Sequence, residues 1–377
     1  MKTKRLTKFR LLILAAFVIF ITYQAYMHQV KGGGPDGAPS IHALCPYGGL
    51  ESLYTLFASG ELIDKIYLGT MALFIITVIT AIVFRRGFCG WICPLGGLQE
   101  FFARLGRKLM RRQLTMPRAI DKYLRYLKYA VLILTAVYSW RTASIWVGPY
   151  DPWAAYGHLG EGLPAVWKEF PVGLSILLIT FIGSFFYDRF FCKYLCPMGG
   201  LLGIISKISP FKIKRDESAC ISCNLCTKVC PVNIDVAKVQ AVTSAECINC
   251  QECTSVCPEK GALTNIFSVK NKTAIKPMVV GISILVVYFG GIAIAKAAGL
   301  YPLLPEAITE ETVITDVDTL KGYMSLSDIS TVMNIPLEEV YSRMQIPAEV
   351  PGDIPVKEIS KWIPDFDFHE AREALSH

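Results

Sequence analysis

The sequence predicts a mainly α-helical integral membrane protein. It has about five transmembrane helices that include a duplicated hairpin, a small inserted α+β module, and a small helical module at the C-terminal end. Three observations carry this. First, 53% of the 377 residues are hydrophobic and mean hydropathy is +0.41, more than a soluble core of this size requires. Second, "FCGWICPLGG" from Phe88 returns as "FCKYLCPMGG" from Phe191, each at the end of an apolar run. Third, much of the complement of 13 cysteines lies in two tandem C-x2-C-x2-C-x3-C-P runs. An odd cysteine count at such spacing argues for metal ligands rather than a disulfide framework.

Residues 1–65 form an N-terminal anchor and an outer loop. The apolar run Leu11–His28 follows the basic "MKTKRLTKFR". It lacks a small-residue cleavage site and is followed by bulky "TYQAYMHQ", so it reads as an uncleaved anchor. Residues 66–215 carry the duplicated membrane hairpins, with apolar runs at Ile66–Phe84, Tyr123–Trp140 and Pro171–Tyr187. Residues 269–300 carry the fifth span, Pro277–Ala295. Each run approaches the roughly 17–25 residues that cross a bilayer. Arg85, Arg86, Arg104, Arg107, Lys108, Arg111 and Arg112 follow the second run. Arg189, Lys193, Lys207, Lys212, Lys214 and Arg215 follow the fourth. The alternate loops are poor in Lys and Arg, which places the N-terminus, both cysteine repeats and 188–276 in the cytoplasm. The loops holding "CPYGG" and "GPYDPWAAYGH" and the C-terminal module lie outside. The net charge of +7 is thus a topological signal, and no nucleic-acid partner is expected.

Residues 216–268 hold "CISCNLCTKVCP" and "CINCQECTSVCP", the pattern of bacterial two-cluster ferredoxins. In that pattern three closely spaced thiolates wrap one [4Fe–4S] cube and the fourth cysteine ligates the other. Cys220, Cys223, Cys226 and Cys257 are therefore assigned to one cluster, and Cys247, Cys250, Cys253 and Cys230 to the second. Structural zinc is the alternative. Two four-cysteine runs, each closed by proline, argue against it.

The repeated C-x3-C-P-x-G-G motif follows a span of the same orientation each time, so the halves form a parallel internal repeat. Spacing i, i+4 gives Cys89 with Cys93, and Cys192 with Cys196, a shared helix face. Proline then ends or bends the helix, and Gly-Gly permits close backbone approach. If the halves pack together, four thiolates meet just inside the membrane and make a candidate third metal or cluster site. The alternatives are redox-active thiol pairs and small buried packing residues.

Together, "FCGWICPLGG", "FCKYLCPMGG" and the downstream ferredoxin pair resemble the membrane polyferredoxin family over roughly residues 66–268. That family includes NapH-, NosR- and CcoG-type proteins of nitrate reduction, nitrous oxide reduction and oxidase assembly. The resemblance implies four core spans, cytoplasmic clusters, and electron exchange with the quinone pool or a membrane partner. Neither an S-G-A-T-like flavin-attachment stretch nor an immunoglobulin-like tail is evident, and the "HALCPYGGLE" loop falls outside the family pattern.

The outer loops offer His42, Cys45 and His158, with Tyr150 and Asp151 nearby, as a candidate outer metal, haem or quinol-head-group site. Otherwise "CPYGG" is a lip on the face opposite the inner cysteines. Trp146, Trp153 and Tyr156 read as interface aromatics. Residues 301–377 are acidic, with Glu338, Glu339, Asp353, Asp365 and Asp367. A helix starts near Ser327 and Asp328 and a second follows Pro336, giving a docking or capping module. The leading functional expectation is a multi-pass protein of a bacterial-type cytoplasmic membrane that passes electrons between quinone or a membrane partner and another redox protein. It would act as a quinol-dehydrogenase-like component. The alternatives are an assembly factor that reduces a metal or thiol, and a redox sensor.

Overall fold

The computed structural model describes residues 2–60, 62–63, 65–111, 114–267, 274–305, 320, 322–356, 359, 362–363, 366, 371–372 and 374–376. Arg112, the acidic stretch 306–319, Asp365 and Asp367 lie outside the described residues. The chain divides into two units, Met1–Tyr26 with Pro39–Leu303, and Met27–Ala38 with Leu304–His377.

The elements run α1 (Lys2–Lys31), which belongs to the first unit as far as Tyr26, and then, in that unit, α2 (Tyr47–Glu51), α3 (Leu53–Ala58), α4 (Leu68–Phe84), α5 (Gly87–Trp91), α6 (Pro94–Met110) and α7 (Arg118–Thr142). There follow α8 (Pro152–Gly157), α9 (Leu163–Glu169), α10 (Pro171–Phe186), α11 (Phe190–Tyr194) and α12 (Pro197–Ile205). The five apolar runs fall on α1, α4, α7, α10 and a helix after the cysteine-rich module. By length and composition two helices among the described residues can cross a bilayer, Arg5–Lys31 and Pro277–Ala297. A third counts if α9 and α10, bent by 117°, form one broken span. α4, α7, α10 and the last helix carry exposed apolar residues, among them Ile75 and Ile79, Ile133 and Val137, Ile179 and Ile182, and Ile282 and Val286. Outward stripes of this kind suit contact with lipid.

Both cysteine repeats fold alike locally. A long helix ends, an arginine takes positive φ (Arg85 at 58°, Arg189 at 55°), and a five-residue helix carries the first cysteine. The second cysteine is the N-cap of the next helix, with Pro94 or Pro197 in its first turn. The pairs therefore do not share one helix face, as i, i+4 spacing suggests. The helix breaks between them and proline starts a new one, where its missing N–H costs nothing.

The inserted module comprises β1 (Lys212–Arg215), α13 (Leu225–Lys228), β2 (Ala241–Val242), α14 (Glu252–Val256) and β3 (Leu263–Ile266). β1 is the middle strand, antiparallel to both neighbours, with Ile213 opposite Val242 and Lys212 opposite Ile266. Strand β1 precedes the first cysteine run, and its four residues pair with β2 and β3 on either side of the second. Phe211 and Phe267 pack edge-on at 5.5 Å, and each meets Phe84 at the end of α4. α15 (Pro277–Ala297) completes this unit.

In the second unit α16 (Leu326–Met333) and α17 (Leu337–Arg343) close on Leu326, Ile329, Val332, Val340 and Met344. The first helix starts ahead of the expected Ser327. Ser325 accepts from the Asp328 amide at 3.0 Å, and Asp328 accepts from the Ser325 amide at 2.8 Å, a reciprocal capping box.

Candidate metal centres

The module's cysteines line two cavities. One is lined by Cys220, Cys223, Cys226 and Cys257, the other by Cys230, Cys247, Cys250 and Cys253. Each thus combines three cysteines of one run with the fourth of the other, the crossed sets expected from the spacing. The sets differ in setting. All four cysteines of the second are buried. In the first, Cys223 is exposed and Ile221 is 61% exposed, so this set opens to solvent. Burial pushes the Cys230 thiol up to about 11 and Cys250 up to about 12, whereas a metal ligand must be deprotonated. The sulfurs also have amide partners of the kind thiolates take, as where the Ile234 amide donates to Cys230 Sγ at 3.3 Å.

The membrane cysteines form another set. Cys89 and Cys192 are buried, and the electrostatic neighbours of Cys196 are Cys192, Cys89 and Cys93. Gln99 Nε2 donates to Cys192 Sγ at 3.0 Å, and the Gly199 amide donates to Cys196 Sγ at 3.3 Å. Among the described residues, one trio of His, Cys or carboxylate ligand atoms gathers within 4.8 Å, and it is His158, Glu161 and Glu169. Neither the membrane quartet nor the module sets are drawn in that tightly.

The charges around these cysteines suit an anionic group. Arg10, Arg85, Arg86, Lys128, Arg189 and Lys193 are all about 1% exposed or less. Glu100 accepts from Arg10 and, at 2.9 Å, from Arg189. Glu246 bridges Arg86 at 3.3 Å and Lys128, and Glu252 takes Arg10 at 2.9 Å. Arg10, Arg86 and Arg189 each lie near cluster-type cysteines, and each keeps a buried Nε–H without a partner, as does Arg85 beside Ser244. Orphaned donors cost about 1–3 kcal/mol each. An anionic group held among these residues would offset that cost and balance the cations.

The membrane set and the buried module set touch through backbone. A Cβ on Gly90 would stand 2.2 Å from the Ile248 carbonyl oxygen and 3.4 Å from the Cys250 nitrogen. Arg10 Nη1 donates to the Gly90 carbonyl at 3.1 Å, Trp91 Nε1 to the Asn249 carbonyl at 3.0 Å, and Asn249 Nδ2 to the Phe84 carbonyl at 2.8 Å.

The outer residues are arranged differently from expectation. Cys45 packs into the same apolar cluster as Cys93 and Cys196, and Tyr288 lies within electrostatic reach of both Cys93 and Cys45. The reason is the following Gly-Gly. A Cβ on Gly48 would meet Ile66 at 2.4 Å, and one on Gly49 would meet Phe74 at the same distance, so α2 sinks against α4. His158 instead pairs with Glu161 at 3.0 Å and meets the Phe170 ring at 4.8 Å, tilted by 38°. His42, Cys45 and His158 are not brought together within 4.8 Å. Asp151 accepts from the Trp153 amide at 2.9 Å, and Tyr150 is partly exposed. Trp153 is a core residue, 8% exposed and stacked on Tyr156 at 5.2 Å, because α8 turns inward. Trp146 stacks on Tyr138 at 4.5 Å.

Comparison with known proteins agrees with this arrangement. A family model described as a 4Fe-4S binding domain matches residues 68–113 and 169–216, the two segments that carry the C-x3-C-P motifs. A 4Fe-4S dicluster domain matches residues 212–258. YccM of Escherichia coli K12 is 31% identical over 55% of this chain and 58% of its own length. The uncharacterized protein MJ0750 of Methanocaldococcus jannaschii is 32% identical over 52% of this chain and 76% of its own. The ferredoxin-type protein NapH of Haemophilus influenzae is 31% identical over 42% and 51%. The chain thus spans between half and three-fifths of the length of YccM and NapH. No solved structure matches. With both C-x3-C-P segments and the dicluster module matched in order, the chain belongs to the membrane polyferredoxin family and carries 4Fe-4S binding domains.

Proposed function

We propose that the protein conducts single electrons along the inner face of a cytoplasmic membrane, between the quinone pool or a membrane partner and another redox protein. Cys220, Cys223, Cys226 and Cys257 hold one cluster, Cys247, Cys250, Cys253 and Cys230 a second, and Cys89, Cys93, Cys192 and Cys196 a third. When bound, such clusters supply reversible one-electron chemistry.

The observation that carries this reading is the backbone contact at Gly90. It supports a continuous protein path from the membrane quartet to the buried module set, whose partner set opens to solvent at Cys223. The residues around the quartet exclude water and supply N–H donors, and the surface around Ile221 is where a soluble redox partner would dock. Five spans, a cytoplasmic module and an outer C-terminal module complete the reading. Its support is the distribution of Lys and Arg and the apolar exterior of the helices.

Potentiometric EPR of the purified full-length protein, with iron counting and added quinol, tests it. The expected result is an iron content above the roughly eight atoms that two four-iron clusters need, with one signal lost on Cys93→Ser or Cys196→Ser. Eight irons, with every signal intact in both variants, would overturn the three-centre reading.

A further inference from the structure

The two repeats exchange arginines. Arg86 stands three residues before Cys89, and its Nη2 donates to the carbonyl of Cys192 at 3.4 Å. Arg189 stands three residues before Cys192, and its Nη1 donates to the carbonyl of Cys89 at 2.8 Å. Each guanidinium reaches across to the first cysteine of the other repeat, and Arg86 also keeps a side-chain contact with Cys89 of its own. The first glycine of each Gly-Gly makes the crossing fit. A Cβ on Gly96 would stand 2.1 Å from Arg189 Nη1, and one on Gly199 would stand 2.7 Å from Arg86 Nη2. The small residue in one repeat is thus the slot for the other repeat's charge.

These arginines are not solvated topology signals. Both are 1% exposed. Arg86 lies within electrostatic reach of Cys89, Cys192 and Cys196, and Arg189 is near Cys192, Cys89 and Cys93. Between them they face all four sulfurs. The carboxylates that accompany them are shared. Glu246 also serves Lys128, and Glu100 also serves Arg10 and Arg104. Positive charge therefore remains uncompensated by carboxylates beside the quartet, and each arginine still has a buried Nε–H without a partner.

We propose that Arg86 and Arg189 are paired positioning residues of the four-cysteine centre, which lock the two repeats by exchange and supply the N–H donors and positive charge that favour its more negative, reduced state. The proposal rests on reading the quartet as a metal centre. Its physical basis is general. Adding an electron to a buried group raises its negative charge, and a buried cation or N–H donor lowers the cost, so loss of either makes reduction harder. Arg86→Lys keeps the charge but loses the planar fork. Gly199→Ala keeps Arg86 in the chain but takes away its slot.

The test is EPR-monitored potentiometry of the purified full-length protein, with iron and sulfide content, for wild type, Arg86→Gln, Arg86→Lys, Arg189→Gln and Gly199→Ala. The signal followed is the one that Cys93→Ser removes. Both Gln variants should make that centre harder to reduce, by at least tenfold in the reduced-to-oxidised ratio at fixed potential, or about 59 mV for one electron. The ferredoxin signals should stay in place. Arg86→Lys should recover part of the shift, and Gly199→Ala should reproduce part of the Arg86→Gln change. If either Gln variant loses iron, the Lys and Ala variants decide. An unmoved midpoint in both of those overturns the proposal, as does an unmoved midpoint in two iron-replete Gln variants. If wild type shows no signal sensitive to Cys93→Ser, the quartet reading itself fails. A sensitive signal that ignores the arginines sinks the arginine proposal alone.

Discussion

Gly90→Ala is the sharpest probe of the contact between the membrane helices and the ferredoxin module. The added methyl would stand 2.2 Å from the Ile248 carbonyl oxygen, whereas real Cβ contacts essentially never fall under 3.0 Å. The backbones must separate by at least the 0.8 Å difference. Backbone cannot swing aside as a flexible side chain can. Ile248 is held between the ligand positions Cys247 and Cys250, and Gly90 is held by Arg10 at 3.1 Å. Overpacking of this kind costs about 1–3 kcal/mol. Gly290→Ala in α15 is the control, because nothing lies within 4 Å of its added Cβ. There alanine should gain up to about 1 kcal/mol from helix propensity. The two variants should therefore shift in opposite directions and differ by about 1–4 kcal/mol. The assay is the denaturant midpoint for loss of visible iron–sulfur absorbance in detergent, backed by tryptophan fluorescence. If Gly90→Ala matches Gly290→Ala, the two backbones are not pressed together and the argument for a direct path fails.

Other outcomes follow from the same geometry. Cys230→Ala should remove the EPR signal of the cluster built on Cys247, Cys250 and Cys253 and spare its neighbour, with Cys257→Ala doing the reverse; loss confined to each run's own cluster would refute crossed ligation. Burial alone would raise the Glu100 carboxyl, but Arg10 and Arg189 outweigh it and hold the group well below the carboxylate range. A depressed value gives stability that is present above the unfolded value of about 4.3 and lost as pH falls. Glu100→Gln should thus cost about 3–5 kcal/mol at pH 7 and clearly less near pH 3.5 by tryptophan fluorescence; an equal cost at both would contradict the ion-pair account. A reporter fused after Phe267 should be active only in the cytoplasm and one at the C-terminal end only outside, and the opposite pattern would reverse the topology.

Much of this was legible in the residues alone. The helices fell where apolar runs lay, because a bilayer demands continuous apolar stretches. The crossed sulfur sets followed from C-x2-C-x2-C-x3-C spacing, which fixes which thiol turns away. Pairing across the sequence was harder to see. Arg85, Arg86, Arg189 and Lys193 read as cytoplasmic charge, yet they are buried; the partners of Arg86 and Arg189, Glu246 and Glu100, stand in segments with no visible link to them. The signal was present in outline. An arginine stands three residues before the first cysteine of each repeat, and a glycine lies three after the second. The packing of Cys45 beside Cys93 and Cys196 was also hidden, since it depends on Gly48 meeting Ile66 and Gly49 meeting Phe74. Local helix periodicity missed the break between Cys89 and Cys93, where proline begins an element instead of ending one.

The fastening of the module has a mechanical consequence. Arg10 to Glu252, Arg85 to the Ser244 carbonyl, Arg86 to Glu246, Trp91 to the Asn249 carbonyl and Asn249 to the Phe84 carbonyl tie it down from three membrane elements. A head held at so many points does not swing on a hinge to ferry its load. Throughput inside the protein should then be indifferent to the thickness of the medium. Glycerol or sucrose added to the assay should slow only the arrival and departure of the soluble partner.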